Sequence, residues 1–464
     1  MDFDTIKDEQ LSVLDTSLKY VKSLDRSADF EIYLHYQNRI EAEINQGAVT
    51  AASGAIAGTG VRAAKSNRVG FAVASGTSVE RVKLAAREAL AIITSVNVED
   101  NRFQGFAEPH GKGKEGTFSD AILSLETSDL IQGCLDLAKE AREVDQRVKV
   151  VTASADAGWQ CYAIANTNGI MHASRNNNCS CSAGVYAIDG EERRHGYEFD
   201  ISRERVFRTD GLGKKAAEVA VGLLGAKKLG ITAKMPTVWT PLSAATYILS
   251  SISFSAVGRP VVDRISPLCD KLGDEIAAKE FSLIDDGQNP KGLGTEAVDS
   301  EGLPQKRNPV VEKGVLKTFL FDHYFGKAYG LESTGNCSRG GGLFGSSTPY
   351  EEKPTSSAKW FEVLPGRKSE EDIISSIDGN AILIRDFPIG IFHSSVETGD
   401  FSCVAISAYL VENGELKGPV EPVSVAGNYY EGLKNLLEVG NNVVSIPYGI
   451  NIPTLAFDGF SIVG

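Results

Sequence analysis

Long apolar runs are missing from this 464-residue chain. No window approaches the about 18 uninterrupted apolar residues that a membrane-spanning helix needs. An export signal is also wanting: MDFDTIKDEQ is acidic and has neither a basic n-region nor an apolar core, so the cytoplasm is the expected compartment. Positive charge is scarce. Lys and Arg number 47 against 61 Asp and Glu, and the net charge of −14 disfavours direct contact with nucleic acid or an anionic membrane. The seven cysteines (134, 161, 179, 181, 269, 337 and 403) are odd in number and widely spread, which reads as free thiols rather than a disulfide framework. No period of about 20–50 residues recurs, which sets aside solenoids and propellers.

The common catalytic signatures are absent too. None of the six histidines (35, 110, 172, 195, 323, 393) is followed by Glu, so the paired imidazoles and adjacent carboxylate of a zinc peptidase helix do not occur. There is no Gly-x-Ser-x-Gly and no Gly-Lys-Ser/Thr. Gly340–Gly345 fits Gly-x-Gly-x-x-Gly in letters, but Ser346-Ser-Thr-Pro349 follows and cannot open the helix that a dinucleotide site requires.

What is present is ordinary soluble material, 42% hydrophobic and 23% charged, enough for about two to four domains. The 47 glycines predict many turns and hairpins. Residues 7–24, 79–94, 129–144 and 214–224 carry helical spacing. Residues 30–36, 39–44, 148–155, 160–166, 179–189, 193–202, 314–321, 381–385, 402–411 and 459–463 read as strands, and 242–257 is an ambiguous apolar run. Ser369 with Asp372 spells a capping box, Asn428 caps a helix over 429–438, and Asn413-Gly414 marks a hairpin. The expected class is α+β: an N-terminal unit over 1–105, a middle unit over 118–230 and a large β-rich unit over 235–464, with 100–117 as a connecting loop.

Four groupings could carry chemistry. Cys179-Ser-Cys181 puts two thiols on one strand face, where His172 or His195 would make a metal site conceivable; two buried small side chains is the simpler reading. Cys337, in a Gly-rich segment, would need a histidine such as His323 or His393 beside it to act as a nucleophile, and reads otherwise as an ordinary thiol. Asp285-Asp286 and Glu370-Glu371-Asp372 read as turn and helix-start charges.

A series of short motifs nevertheless runs in a familiar order: Gly60-Val-Arg62, Asn166-Thr-Asn-Gly169, Asp299-Ser-Glu-Gly302, Val311–Lys317, Gly330–Gly335, Thr398–Ser402, Tyr409–Gly414, Pro419-Val420, Ala426–Asn428 and Gly440-Asn441. Together they cover nearly the whole chain and resemble the TldD/PmbA family, once described as modulators of DNA gyrase and regarded as peptidases. In that family the TldD type carries His-Glu-x-x-x-His and a C-terminal Cys that bind zinc, and the PmbA (TldE) type lacks both. Here the corresponding stretch, Ser243–Val257, has neither His nor Glu, and Asn441–Pro453 has no Cys. Thr398–Ser402 and Tyr409–Gly414 also resemble the PmbA type.

The resemblance therefore implies a zinc-less PmbA-type subunit of a TldD/PmbA proteolytic complex, with no cofactor of its own and zinc only in a TldD-type partner. It implies a structural, substrate-enclosing role toward unfolded peptide, and a homodimer when the partner is missing. His393, Thr398 and Asp400 are the expected peptide-groove residues, with no catalytic or metal-binding residue assigned. The alternatives are a peptidase active alone, through Cys337 or through His393 with Asp400, and a regulatory protein-binding module.

Overall fold

The computed structural model describes residues 3–95, 98–340 and 348–464. Helix α1 (Phe3–Leu24) leads into strands β1 (Asp29–Asn45), β2 (Ala48–Lys65) and β3 (Arg68–Ser75), then helix α2 (Val79–Ser95). After the irregular stretch over 100–117 come α3 (Asp120–Leu123), α4 (Thr127–Val144), β4 (Val148–Asn166), β5 (Met171–Asp189), β6 (Glu192–Ser202) and α5 (Leu212–Gly222). All six strands form one antiparallel sheet, ordered β3-β2-β1-β4-β5-β6, so 29–75 and 148–202 share a single layer.

Two expected strand breaks are not there. Residues 30–36 and 39–44 are one strand because Gln37 and Asn38 are paired on both sides, to Ile56 and Ala55 and to Gln160 and Trp159. Likewise 148–155 and 160–166 are one strand through Gly158. Polar residues in mid-strand look like punctuation in the sequence; inside a sheet their backbones are fully paired.

Strand alternation gives this sheet two distinct faces. Phe30, Ile32, Leu34, Ala42 and Ile44 of β1 lie on the face covered by the helices, in two cores built with α1 and α2 at one end and with α4 and α5 at the other. The intervening residues Glu31 and Tyr33 project to the opposite face, which meets the C-terminal part through Tyr33, Tyr162, Ile164, Ile170, Leu303 and Tyr350. β3 pairs only with Gly58–Lys65 of β2, and residues 48–56 are exposed.

The C-terminal part is β-rich. β7 (Thr232–Trp239) lies centrally in a sheet between Leu455–Val463 and Asn380–Ile384, and a second sheet includes β8 (Leu283–Asp286) and β9 (Arg307–Glu312). The ambiguous run at 242–257 is helix α6 (Pro241–Ser255), opened by Pro at its first turn and buried on most sides in the largest core. Residues 402–411 are not one strand. Asp400–Ala405 pairs with Val423–Asn428, whereas Ala408–Glu412 pairs with Asn380–Ile384 and forms a hairpin across Asn413 and Gly414, both at positive φ. The extended pairing expected over 314–321 shrinks to Val315–Leu316. The helix at 429 ends at Lys434 because Leu436–Val439 joins the edge of the last strand. Both caps form as expected, Ser369 with Asp372 reciprocally and Asn428 accepting from Tyr430 and Glu431. No helix among the described residues is long and apolar enough to cross a membrane.

Candidate functional site

Where the six-stranded sheet meets the C-terminal part, charges are buried in a closed set. Arg62 of β2 and Glu31 of β1 are register partners on the helix-free face. The Arg62 guanidinium donates to both Glu31 oxygens at 2.8 and 2.6 Å and to Glu301 Oε1 at 2.8 Å. Arg339 donates to Glu31 from the other side and lies over the Tyr33 ring, 4.6 Å from its centroid. Two cations thus neutralise two carboxylates that are themselves almost fully buried. Burial pushes the Glu301 carboxyl up, but Arg62 and the His323 amide, which donates to Glu301 Oε2 at 2.9 Å, together hold it below its ordinary value.

Two of the motifs named above meet here, and each has a physical reason. Gly60 precedes Arg62 because a Cβ there would sit 2.6 Å from the Tyr350 carbonyl oxygen. Gly302 turns at φ +83° while Asp299 accepts the amides of Glu301 and Leu303 at 2.9 and 3.0 Å, which points Glu301 at Arg62. The second Asp299 oxygen accepts the Cys337 amide at 3.0 Å. Burial and the neighbouring Glu301 push the Asp299 and Asp322 carboxyls up.

Beside this set runs a trench. One end is polar, a cavity of about 410 Å³ lined by Tyr33, Tyr162 and Asn176 of the sheet and by Glu296, Arg339 and Lys359. Lys359 Nζ donates to the Cys337 carbonyl at 2.5 Å and to Ser338 Oγ at 2.7 Å. Burial pushes the Glu296 carboxyl up. Lys359, Ala358, Ser357 and Gly294 also line the next cavity, of about 510 Å³, whose wall is Leu249, Ser253 and Phe254 of α6 with Val257. Pro447 and Tyr448 carry the trench on to a third cavity, where Leu242 at the start of α6 again contributes. Helix α6 therefore lies along the trench, within the C-terminal part.

The sequence-derived candidates fall elsewhere. His393, Thr398 and Asp400 are exposed and line none of these three cavities. His393 ends a short 3-10 helix, Ile391–His393, and Thr398 and Asp400 share the turn that follows. The Asp400 amide donates to Thr398 Oγ1 at 3.3 Å, and Asn428 Nδ2 donates to the Asp400 carboxylate at 3.0 Å and to the Thr398 carbonyl at 2.7 Å. Asn428 and then Thr398 hold the Asp400 carboxyl below its usual range.

Cys179 and Cys181 do share a strand face, but in the helix-side core, where their thiols donate to the Arg205 and Arg208 carbonyls and burial pushes them up to about 11 and about 12. The structure does not bring His172 or His195 to them: Cys181 pairs with Asp200, and His195 with Tyr186. Cys337 is fully buried, and burial together with Glu301 and Asp299 pushes its thiol well up, the reverse of what a nucleophilic thiolate needs. Asp285 is not a turn charge. It is a buried strand residue accepting from the Lys359 and Trp360 amides at 2.6 and 2.9 Å and from Asn336 Nδ2 at 2.6 Å. From residue 341 on, the Gly340–Gly345 stretch lies outside the described residues.

Glu31, Arg339, Lys359 and Glu296 were missed from sequence. The available signal was a charge inside an apolar alternation, as in Phe30-Glu-Ile-Tyr33, where the second face of a strand carries a group that has to be paired.

Comparison with known proteins matches three family models in chain order: PmbA/TldA metallopeptidase domain 1 over 30–93, the central domain over 120–224 and the C-terminal domain over 232–464. A metalloprotease TldD homolog of Buchnera aphidicola (subsp. Acyrthosiphon pisum) is 24% identical over 447 residues, covering 88% of this chain and 86% of that protein. A metalloprotease PmbA homolog of Haemophilus influenzae is 27% identical over 315 residues, 67% of this chain and 64% of that one. Among solved structures, TldE from Thermococcus kodakarensis superposes with a TM-score of 0.88 at 23% identity, covering 97% of this chain and 100% of that one. A candidate modulator of a DNA gyrase from Thermotoga maritima MSB8 gives 0.85 at 22%, with 97% and 100% covered.

Proposed function

Because the chain belongs to the PmbA/TldA metallopeptidase family, we propose that it is the zinc-less, PmbA-type subunit of a two-component proteolytic assembly, enclosing unfolded peptide for a TldD-type partner. The observation that carries this reading is helix α6. It occupies the stretch where the TldD type would carry His-Glu-x-x-x-His, and it presents Leu249, Ser253 and Phe254 to the trench. Apolar and hydroxyl side chains offer zinc no imidazole, carboxylate or thiolate. The residues present do not fit the ion, and no catalytic step is assigned to this chain. Zinc is assigned to the partner.

The trench supports an enclosing role. It is bounded by both halves of the molecule at its two ends and is mixed in character, as an extended peptide of varied sequence demands. Self-association in the absence of the partner is part of the same reading. The open edge of β2 over 48–56 supports it, since Ala48–Ile56 carries no charge and no proline to blunt that edge.

The test is reconstitution. The chain alone, purified without a polyhistidine tag, is expected to hold no stoichiometric zinc and to leave unfolded peptide intact. Mixed with a TldD-type chain it is expected to form a complex whose turnover a chelator abolishes. Chelator-sensitive turnover by the chain alone would overturn the reading.

A further inference from the structure

We infer that the far end of the trench is a binding pocket for an organic cation, the alkylammonium or guanidinium head of a Lys or Arg side chain; as a peptide subsite this rests on the enclosing role proposed above. The pocket, of about 390 Å³, takes its aromatic and polar lining from three separate pieces of chain, with Leu242 and Ile406 adding apolar wall. Alternate residues His195, Tyr197 and Phe199 of β6 project from the helix-free face of the sheet. Asp386 and Phe387 follow the strand Asn380–Ile384, and Tyr448 comes from the turn between Val444–Ile446 and Ile450–Ile452.

The walls are aromatic and close to one another. Phe387 and Tyr448 stand edge to face with centroids 6.1 Å apart, and Tyr197 lies 6.1 Å from Phe199. Ring faces attract a cation through their quadrupoles, most strongly where water is thinned out. Among the described residues Asp386 is the single carboxylate in the lining, and it is only 6% exposed. One of its oxygens accepts the Phe387 amide at 2.7 Å, and the other faces His195 Nδ1 at 3.4 Å. Among the described residues no Lys or Arg lines the pocket. A carboxylate has about four acceptor positions, so Asp386 has capacity left for a charge-assisted donor entering between the rings.

An anionic ligand would meet Asp386. A purely apolar ligand would leave that carboxylate covered and under-bonded. A cation satisfies both the rings and the carboxylate. At the rim Ile389 is 58% and Tyr448 38% exposed, apolar surface on which the stem of a long basic side chain can lie.

The experiment uses the full chain and calorimetric titration with short capped peptides differing only in Lys, Arg or Gln at one position. Butylammonium and methylguanidinium serve as free probes. Lys and Arg peptides are expected to bind about tenfold more tightly than the Gln peptide. Asp386→Asn is expected to erase that preference while leaving the Gln peptide's affinity unchanged, and Tyr448→Ala, on the exposed rim, to weaken the basic peptides selectively. Peptides that bind without a basic preference, or a preference that survives Asp386→Asn, would overturn the pocket assignment and leave the enclosing role standing. Free cations that bind in an Asp386-dependent way while no peptide binds would support the pocket and overturn the enclosing role. No binding of either kind would overturn both.

Discussion

Replacing Arg62 by Met strips one cation from the buried set at the junction of the two halves while keeping most of the side-chain volume. Glu301, 2% exposed, would lose its guanidinium partner, and Glu31, fully buried, would keep only Arg339. Removing one member of a buried pair costs about 3–5 kcal/mol, because the remaining charge is left without compensation. If the whole chain melts as one unit, its unfolding entropy is about 1 kcal/mol/K at roughly 2 cal/mol/K per residue, so the midpoint should fall by about 3–5 °C. The pH dependence carries a sign. In the parent chain the Glu301 carboxyl is held below its ordinary value, so its contribution is present above the unfolded pKa and lost only as pH falls through the lower folded one. In Arg62→Met only His323, whose amide lies 2.9 Å from Glu301 Oε2, still opposes burial, and the folded pKa is expected to rise above the unfolded value. The penalty is then full at neutral pH and fades as pH falls through that raised value. Thermal melts from pH 8 to pH 5 should show the gap to the parent narrowing, and Glu301→Gln added to Arg62→Met should recover part of the loss. A pH-independent gap with no recovery would refute the argument.

Gly60→Ala would drive a Cβ to 2.6 Å from the Tyr350 carbonyl; it should cost about 1–3 kcal/mol in denaturant unfolding and loosen 349–351 in hydrogen exchange. Ser369→Ala removes one half of a reciprocal cap and should cost about 1 kcal/mol. Alkylation of the native chain followed by mass spectrometry should label Cys269, which is partly exposed, and spare Cys337, which is buried beside carboxylates. Asp400→Ala should raise exchange at the 395–400 turn by freeing Asn428, whereas His393→Ala should not; reduced peptide turnover by the assembled complex in either variant would put that turn on the substrate path.

Features set by neighbouring residues were legible in the sequence. The helices near 79–95 and 127–144, the Ser369 and Asn428 caps and the Asn413-Gly414 hairpin each depend on a few adjacent side chains. Strand alternation also separates Phe30 and Ile32 from Glu31 and Tyr33. It does not say what the second face meets, and Glu31 looks like a solvent-facing charge until Arg62, Glu301 and Arg339 surround it. Arg62 and Glu301 are 239 positions apart, so their meeting depends on tertiary packing that no local pattern encodes. The same holds for the trench, whose two ends combine residues of both halves. The family motifs pointed to the right segments without indicating that they touch. His393, Thr398 and Asp400 follow from the family resemblance together with their Gly-flanked polar setting, while Asp386 and Lys359 are single charges in unremarkable surroundings.

The central position of β7 has a consequence for synthesis on the ribosome. The six-stranded sheet is complete once Ser202 has emerged, so its helix-side cores can close early. β7 follows after α5, but one of its two neighbours is the last strand of the chain, Leu455–Val463. At about 5–20 residues per second, some 10–40 s pass between the emergence of Trp239 and that of Leu455. For that interval Val238 and Trp239, both fully buried at the end, have no sheet to join on that side. The nascent C-terminal half is therefore a natural client for holding chaperones. A chain cut short before residue 455 should leave the ribosome with a finished first sheet attached to an unclosed and sticky second one.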